Sequence, residues 1–300
     1  MWTRRKFLNL SISMAGMTTA SAVDRSDAPL KFGVIADPQY ANAPAKWGRH
    51  FRQSLMKLSA CIDELNRHEL AFTVTLGDLI DRDFASFDPV LECYKNLRSE
   101  HHVVLGNHDF DVADGDKEKV LKKLGLKRGY DSYRSSGWRM VLLDGTEVSA
   151  YRYAEGDERK TQGDEALSAL KKTGAAWAQP WNGAMAKSQL EWFENELEAA
   201  AAAGERVIVC NHYPVLPADD SHNLWNADAV VRIIRRHPQV ALYLNGHNHA
   251  GNYAHDKHCH YVNLKGMVET ETESAFAVVT CHDDHITVEG FGTEPDRALA

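Results

Sequence analysis

The sequence predicts a layered α/β fold, and three observations lead to that prediction. Short runs rich in β-branched and apolar residues alternate with stretches in which apolar residues recur at helical spacing. Five of the predicted strands end in polar residues of the kinds that bind metals or substrates. The length of 300 residues suits one domain of this class and leaves little for a second.

The individual elements follow from periodicity and from helix-ending signals. Buried strands are predicted at residues 31–37, 71–78, 101–106, 138–144, 206–212 and 240–246. Helices are predicted at residues 51–65, 90–97, 117–124, 190–204 and 225–235. Residues 146–183 carry mixed charge with little periodicity, which indicates an insertion within the domain. The segment 260–291 predicts three consecutive strands.

Residues 1–22 differ in character from the rest of the chain. Arg4, Arg5 and Lys6 precede a mildly apolar stretch, and the small residues at 20–22 form a pattern that signal peptidase accepts. The order of residues around Arg4 and Arg5 resembles a twin-arginine signal. We therefore predict a Tat signal peptide at 1–22, the Tat export machinery as partner of the precursor, a catalytic domain at 23–300, and a periplasmic or other extracytoplasmic location.

Composition narrows the classes of partner. The formal charge is −8, and removal of residues 1–22 takes away three basic residues and no acidic one, which makes it −11. A chain this acidic is poorly suited to binding nucleic acid through the phosphate backbone. We also expect no stable membrane insertion, because no apolar run is long enough to span a bilayer. The five cysteines show no paired spacing, so we expect them to be reduced, with Cys259 and Cys281 as the only pair considered.

The polar residues at the strand ends indicate a metal centre. They are Asp37, Gln39, Asp78, Asn107, His108, His212, His247 and His249. Oxygen and imidazole ligands from five loops can hold two divalent ions, with Asp78 as the natural shared carboxylate. Two ions ~3.5–4 Å apart can share a hydroxide and hold a phosphoryl group during in-line displacement. The set therefore predicts metal-dependent hydrolysis of a phosphate ester or anhydride.

These motifs resemble, in order, the motif series of the calcineurin-like metallophosphoesterases. The matching stretches are Asp37-x-Gln39, Gly77-Asp78, Gly106-Asn107-His108-Asp109, Asn211-His212 and Gly246-His247-Asn248-His249. The resemblance implies a four-layer αββα sandwich, in which two mixed β-sheets pack face to face between helices. Most of that superfamily has histidine where Gln39 stands. The stretch 34–40, together with 224–226 and 262–270, is similar to the manganese-dependent ADP-ribose/CDP-alcohol diphosphatases.

The resemblance also implies a role for each site residue. It assigns Asp37, Gln39, Asp78 and His249 to one metal ion. It assigns Asp78, Asn107, His212 and His247 to the other. Asn107 and His108 would contact the substrate phosphate, with His108 acting as an acid or charge stabiliser and Asp109 as the catalytic partner that orients it. The carboxamide oxygen of Gln39 is a hard ligand, which favours Mn²⁺ over Zn²⁺, while Mg²⁺, Fe and Zn²⁺ stay open as alternatives.

The predicted function is hydrolysis of a small-molecule phosphate substrate, a nucleoside diphosphate derivative of the ADP-ribose or CDP-alcohol type, by a metal-bridging hydroxide. A cyclic nucleotide or other phosphodiesterase is the alternative enzyme. A catalytically inactive protein that binds phosphate ligands is the alternative of another class. Trp177 and Trp181 are candidates for stacking on a base, and the cluster of His255, His258 and His260 is a weaker candidate for a separate metal site.

Overall fold

A computed structural model describes residues 29–300, so the predicted signal peptide at 1–22 lies outside the described residues. The strands are β1 Leu30–Ile35, β2 Phe72–Thr75, β3 Glu100–Val103, β4 Asp131–Ser135, β5 Trp138–Leu142, β6 Val148–Ser149, β7 Gly183–Ala184, β8 Arg206–Cys210, β9 Val240–Asn245, β10 Asn252–Asp256, β11 Cys259–Asn263, β12 Ala275–Cys281, β13 Ile286–Gly292 and β14 Arg297–Leu299. The α-helices are α1 Ser54–Leu65, α2 Phe87–Tyr94, α3 Asp114–Lys117, α4 Val120–Lys123, α5 Glu158–Lys171, α6 Lys187–Ala203 and α7 Ala227–Arg236.

Two six-stranded mixed sheets form the centre of the fold. The first has the order β14-β13-β12-β1-β2-β3, with β1, β2 and β3 parallel and the C-terminal strands antiparallel. The second has the order β10-β11-β9-β8-β5-β4, with parallel pairing from β11 through β5. The remaining pair, β6 and β7, is a separate two-stranded ribbon. Parallel strands in both sheets therefore direct their carboxyl ends to the loops that carry the predicted site.

Side-chain alternation along the strands produces four layers. Phe32 and Val34 of β1 belong to the buried cluster that also holds Leu242 and Leu244 of β9, so one face of each sheet packs against the other. Ile35, on the opposite face of β1, packs with Leu58 and Ile62 of α1. The outer face of the second sheet packs in the same way against Phe193 and Leu197 of α6 and against α7. The predicted αββα sandwich is confirmed.

The interpretation of residues 146–183 as an irregular insertion is wrong in part. This segment contains α5 and closes on itself through the pairing of Val148 with Ala184. Only Gly163 and Leu167 of α5 are buried, and a helix with so narrow a buried face leaves little periodicity to detect in its sequence. The predicted helix at 117–124 is two short helices, α3 and α4, and strands β4, β6, β7, β10 and β14 were not predicted.

Two other expectations can be compared with the structure. All five cysteines are free in the structure, and Cys259 is not bonded to Cys281. None of the helices among residues 29–300 has the length and apolar character needed to cross a bilayer.

Candidate metal centre

The predicted ligands lie in loops that directly follow five parallel strands. Asp37 and Gln39 follow β1, Asp78 follows β2, and Asn107 follows β3. In the second sheet, His212 follows β8, and His247 and His249 follow β9. All seven residues are found at one edge of the sandwich, as the strand-end pattern predicts.

Four of these ligands have unusual backbone conformations. The φ angles of Asp37, Gln39, Asp78 and His247 are 51°, 43°, 53° and 68°. Residues with a Cβ seldom adopt this left-handed region, which costs of order 1–3 kcal/mol each and persists where the surrounding structure holds it. This backbone conformation turns each side chain back toward the centre immediately after its strand ends.

Asp78 joins two groups of ligand atoms. In the first group, Nε2 of His212 lies 3.3 Å from Oδ2 of Asp78 and 3.2 Å from Oδ1 of Asn107. Nδ1 of His247 lies 3.1 Å from the same His212 nitrogen. These separations match neighbouring ligands around one ion, since two bonds of ~2.1 Å at right angles place their ligand atoms about 3 Å apart.

The second group shares Asp78 and adds residues from the loops after β1 and β9. Nε2 of His249 lies 3.4 Å from Oδ1 of Asp37, and the side-chain nitrogen of Gln39 lies 2.9 Å from Oδ2 of Asp78. Asp37, Asp78 and His249 have ligand atoms close enough together to hold one ion. The two groups contain the residues that the resemblance assigns to the two ions, and Asp78 is common to both.

The orientation of Gln39 shows how a cation fits the second group. Its amide nitrogen faces Asp78 and His249, while its buried Oε1 has no hydrogen-bond partner among residues 29–300. Rotation of the carboxamide by half a turn brings the oxygen to the inward position, where a cation is its natural partner. The orphaned oxygen, the carboxylates of Asp37 and Asp78 and the imidazole of His249 form a donor set suited to hard or borderline divalent ions.

Each histidine of the centre is held by its other ring nitrogen. Nδ1 of His212 lies 2.7 Å from the carbonyl of Leu76. Nε2 of His247 lies 2.8 Å from Oδ1 of Asn182, and Nδ1 of His249 lies 2.5 Å from Oε1 of Glu269. Such contacts select the tautomer that presents the remaining nitrogen to a metal.

Sequence reasoning missed the role of Asn182 entirely. It is 65 residues from His247 in the chain, and no motif marks it. Glu269 does lie in one of the stretches that resemble the diphosphatases, but its role was not assigned. The predicted insertion therefore contributes a residue to the metal centre.

Glycines allow the two groups of ligands to approach each other closely. A Cβ on Gly77 would lie 2.5 Å from Nδ1 of His212, and one on Gly266 would lie 2.6 Å from Cγ of His249. A Cβ on Gly106 would overlap the carboxylate of Asp78, and one on Gly246 would overlap that of Asp37. Any side chain at these positions would therefore displace a ligand.

The electrostatics follow from burial and from the ligand charges. Burial opposes protonation of His212 and His249, but the carboxylates of Asp78 and Asp37 outweigh it and raise each histidine pKa to about 9. Burial and the charge of His212 hold the pKa of His247 far below its ordinary value. Burial also opposes ionisation of Asp78, yet His212 and His108 keep its pKa below the ordinary range. The carboxylates thus favour positive charge at this centre, which is the charge that a bound metal ion carries.

The predicted partnership between Asp109 and His108 is wrong. Oδ1 of Asp109 accepts a hydrogen bond from the backbone N–H of Leu79 (2.8 Å). Its Oδ2 accepts from the N–H groups of Gly106 (2.9 Å) and Asp78 (3.2 Å). Burial and the charge of Asp78 raise the pKa of Asp109 to about 7. Asp109 therefore positions the loop that carries Asp78 and does not contact the ring of His108.

The ring of His108 has other neighbours than the predicted Asp109. Its Nδ1 lies 3.3 Å from Oδ2 of Asp81 and 3.8 Å from Oδ2 of Asp111, while its Nε2 lies 3.2 Å from the guanidinium of Arg49. Burial opposes protonation, but the nearby carboxylates, Asp78 above all, raise its pKa. His108 thus lies beside the centre between the Arg49 guanidinium and two carboxylates.

Three cavities that share lining residues surround the centre. A cavity of about 360 Å³, here the metal cavity, is lined by five of the candidate ligands and by four other residues, Arg49, His108, Trp181 and His222. The apolar cavity, about 310 Å³, shares Asn107, His108 and Trp181 with it and is otherwise lined by Phe110, Asp111, Val112, Lys117, Tyr151 and Pro180. The cationic cavity, about 480 Å³, shares Arg49, His222, His247 and His249 with the metal cavity and adds Asn248, Ala250, Lys265, Gly266, Glu269, Thr270 and Thr293.

The two candidate tryptophans have different environments. Trp181 is 42% exposed and lines both the metal cavity and the apolar cavity. Trp177 packs with Leu167 and Trp225 and donates from its indole nitrogen to the Trp225 carbonyl (3.3 Å), so it lines neither cavity. The rings of His255 and His260 stack at 4.3 Å, and the groups of potential metal ligands found within 29–300 do not include them.

Comparison with known proteins agrees with this geometry. The sequence model for the calcineurin-like phosphoesterases matches residues 30–251. The manganese-dependent ADP-ribose/CDP-alcohol diphosphatase of Xenopus tropicalis is 31% identical, over 89% of this chain and 93% of its own length. The Arabidopsis thaliana protein of the same name is 29% identical, over 86% and 93%. The crystal structure of a dimetal phosphatase from Danio rerio superposes with a TM-score of 0.82 at 25% identity, covering 91% of this chain and 99% of that one.

The residues that match the family, 30–251, run from β1 to the loop after β9. They include every loop that carries a candidate metal ligand, in the order of the family motifs. The carboxylates, amides and imidazoles that the family motifs implied come together in two groups around Asp78. The chain belongs to the calcineurin-like phosphoesterase family and is a metal-dependent phosphohydrolase.

Proposed function

We propose that the protein hydrolyses the diphosphate bond of nucleoside diphosphate derivatives of the ADP-ribose or CDP-alcohol type, with two Mn²⁺ ions as cofactors. The observation that carries this proposal is that the metal cavity shares lining residues with two other cavities, an apolar one that includes Trp181 and a cationic one that does not. A phosphoryl group at the centre would have room for a base on one side and for a second group on the other. The names of the diphosphatase relatives support the same substrate class.

Some of the site residues would hold the metal ions, and others would contact the substrate. Asp37, Gln39, Asp78 and His249 would hold one ion, and Asp78 with Asn107, His212 and His247 would hold the other. When bound, the two ions supply the nucleophile at neutral pH and compensate negative charge on the phosphoryl oxygens.

Asn107, His108 and Arg49 line the metal cavity and would contact the substrate phosphate. His108 stabilises negative charge that develops on the phosphoryl oxygens, because Asp81 and Asp111 lie near its Nδ1 and favour the protonated ring. In a nucleoside diphosphate derivative the leaving group is a phosphate monoester, which departs without needing a proton. His108 therefore acts on such substrates mainly through its charge.

Steady-state assays with Mn²⁺ or Mg²⁺ test this proposal. The substrates are ADP-ribose, CDP-glycerol, 2′,3′-cyclic AMP and bis-p-nitrophenyl phosphate. We expect Mn²⁺-dependent release of nucleoside monophosphate from the two diphosphates, at a kcat/KM well above that for the other two compounds. Turnover of only the cyclic or aryl diester would reject the diphosphatase assignment and would favour a phosphodiesterase.

We also propose that the precursor is exported through the Tat pathway. Arg4 and Arg5 in the predicted signal at 1–22 support this. Cell fractionation of the native protein and an Arg4→Lys/Arg5→Lys variant tests the proposal. We expect the native protein outside the cytoplasm and the variant retained inside, and an unchanged distribution would reject it.

A further inference from the structure

The cationic cavity opens from the metal cavity on the side away from Trp181. It shares Arg49, His222, His247 and His249 with the metal cavity, so a substrate bound at the centre can extend into it. At about 480 Å³ it has room for a sugar or an alcohol headgroup. Nothing in the metal-ligand set accounts for its other polar residues, Asn248, Lys265, Thr270 and Thr293.

Two cations, Lys265 and Arg49, line this cavity, together with one carboxylate, that of Glu269. Among residues 29–300, neither Lys265 nor Arg49 has a carboxylate within ion-pair distance of its side chain. Glu294 accepts a hydrogen bond from the backbone N–H of Lys265 (2.7 Å), while its other oxygen pairs with Arg297. The one carboxylate that lines the cavity, Glu269, is held by His249 at 2.5 Å. Two cations without ion-pair partners therefore face the space that a substrate would enter.

The apolar cavity on the opposite side determines which end of a substrate would enter the cationic one. Phe110, Val112, Tyr151 and Trp181 provide flat apolar surfaces suited to a base. The group beyond the second phosphate, here called the distal group, would then extend past Arg49 toward Lys265. This assignment rests on the proposed function.

We propose that Lys265 makes the cationic cavity a specificity site that accepts neutral or anionic distal groups and rejects cationic ones. Asn248 keeps one amide hydrogen beyond its bond to Asp220, and the Thr270 hydroxyl, which donates to the Glu273 carbonyl, can still accept. With Thr293 they can hydrogen-bond to a polyol such as ribose or glycerol. A choline headgroup offers no hydrogen-bond donor and places its positive charge near Lys265. The like charges repel, and this repulsion separates two classes of substrate that share one nucleotide.

CDP-glycerol and CDP-choline form a matched pair for the test, since they differ only in the distal group. We would measure kcat/KM for both with Mn²⁺ at low ionic strength, for the native protein, Lys265→Gln and Lys265→Arg. We expect the native protein to prefer CDP-glycerol by about fivefold or more, which is the scale of repulsion between unit charges ~7 Å apart in a partly solvated cavity. The preference should fall to near unity in Lys265→Gln and persist in Lys265→Arg.

A control and a salt series make the test specific. Lys187→Gln removes an exposed lysine of α6 that lies 3.5 Å from Glu191, and the preference should not change. Raising the salt concentration should reduce the native preference toward that of Lys265→Gln, because screening weakens repulsion. Equal preferences in the native protein and Lys265→Gln, or a native preference for CDP-choline, would overturn the proposal.

Inhibition measurements separate this proposal from the proposed function. If neither ADP-ribose nor the two CDP-alcohols are hydrolysed while bis-p-nitrophenyl phosphate is, the proposed function fails. In that case we would compare the inhibition constants of CDP-glycerol and CDP-choline, measured with bis-p-nitrophenyl phosphate as the substrate. Tighter inhibition by CDP-glycerol that depends on Lys265 would support the specificity site, and equal inhibition constants or no inhibition would overturn it.

Discussion

Asn182 lies outside every family motif, yet its contacts predict control over one of the two metal positions. Its Oδ1 lies 2.8 Å from Nε2 of His247, whose Nδ1 faces the first group of ligands. Its Nδ2 donates to the carbonyls of Trp177 (2.9 Å) and Ser221 (2.8 Å). In Asn182→Ala, the buried ring of His247 loses its acceptor, and both of its tautomers become accessible. We therefore expect weaker metal binding at the position that His247 serves.

The magnitude follows from these contacts. A buried donor left without an acceptor costs about 1–3 kcal/mol. Loss of a group that orients a metal-ligating histidine weakens metal binding about 10–100-fold. The two estimates agree, because a tenfold change in a dissociation constant corresponds to about 1.4 kcal/mol. The other metal position, which does not use His247, should keep its affinity.

Calorimetric titration with Mn²⁺, supported by the electron paramagnetic resonance signal of free Mn²⁺, measures both positions. Asn182→Asp is the matched variant, since it keeps an acceptor for His247 and loses both donors. We expect Asn182→Ala to weaken one position and to lower the melting temperature. Asn182→Asp should lower the melting temperature while keeping the metal affinity. The reasoning is refuted if Asn182→Ala binds both ions like the native protein, or if the two variants weaken binding equally.

Three further predictions concern His108, Gly106 and Lys57. His108→Ala should reduce kcat about 10²–10⁴-fold on an alkyl phosphodiester and much less on ADP-ribose, because only the alkoxide needs a proton on leaving; equal losses would contradict this. Gly106→Ala should lower the stability by about 1–3 kcal/mol and weaken Mn²⁺ binding, because the new methyl group overlaps Asp78. The control Gly115→Ala, where a Cβ meets nothing within 4 Å, should change neither property in thermal melts and Mn²⁺ titrations. Burial lowers the pKa of Lys57 to about 8. Between about pH 8 and 10.5 the folded protein therefore binds fewer protons than the unfolded chain, and the free energy of unfolding rises with pH in that window. The free energy of unfolding by urea should depend less on pH across this window in Lys57→Met. An unchanged pH slope would contradict the predicted contribution of Lys57.

The metal ligands could be predicted from the sequence because each one is a local feature. Every ligand directly follows a strand whose apolar character is visible in the chain, as with Asp78 after 71–76. The carboxyl ends of parallel strands must meet at one edge, so the chemistry of the centre follows from pattern alone. The alternation of strands and helices predicted the layered fold in the same way.

Features that depend on packing between distant segments could not be predicted. α5 buries only Gly163 and Leu167, so its sequence shows no apolar stripe. The carboxylates near His108 are Asp81 and Asp111, because the 3₁₀ turn at His108–Phe110 directs Asp109 onto the backbone of the neighbouring loop. A sequence neighbour is a poor guide to a side-chain partner where the chain turns this tightly.

The sequence by itself determined the family, the layered architecture and the seven candidate metal ligands, because short-range patterns encode strands and the polar residues that follow them. Only the tertiary structure decided which residues hold the ligands in place and what surrounds the substrate. Asn182 meets His247, and Arg49 and Lys265 line one cavity, because separate loops converge at the edge of the two sheets. Such contacts depend on the path of the whole chain through space, which no local pattern records.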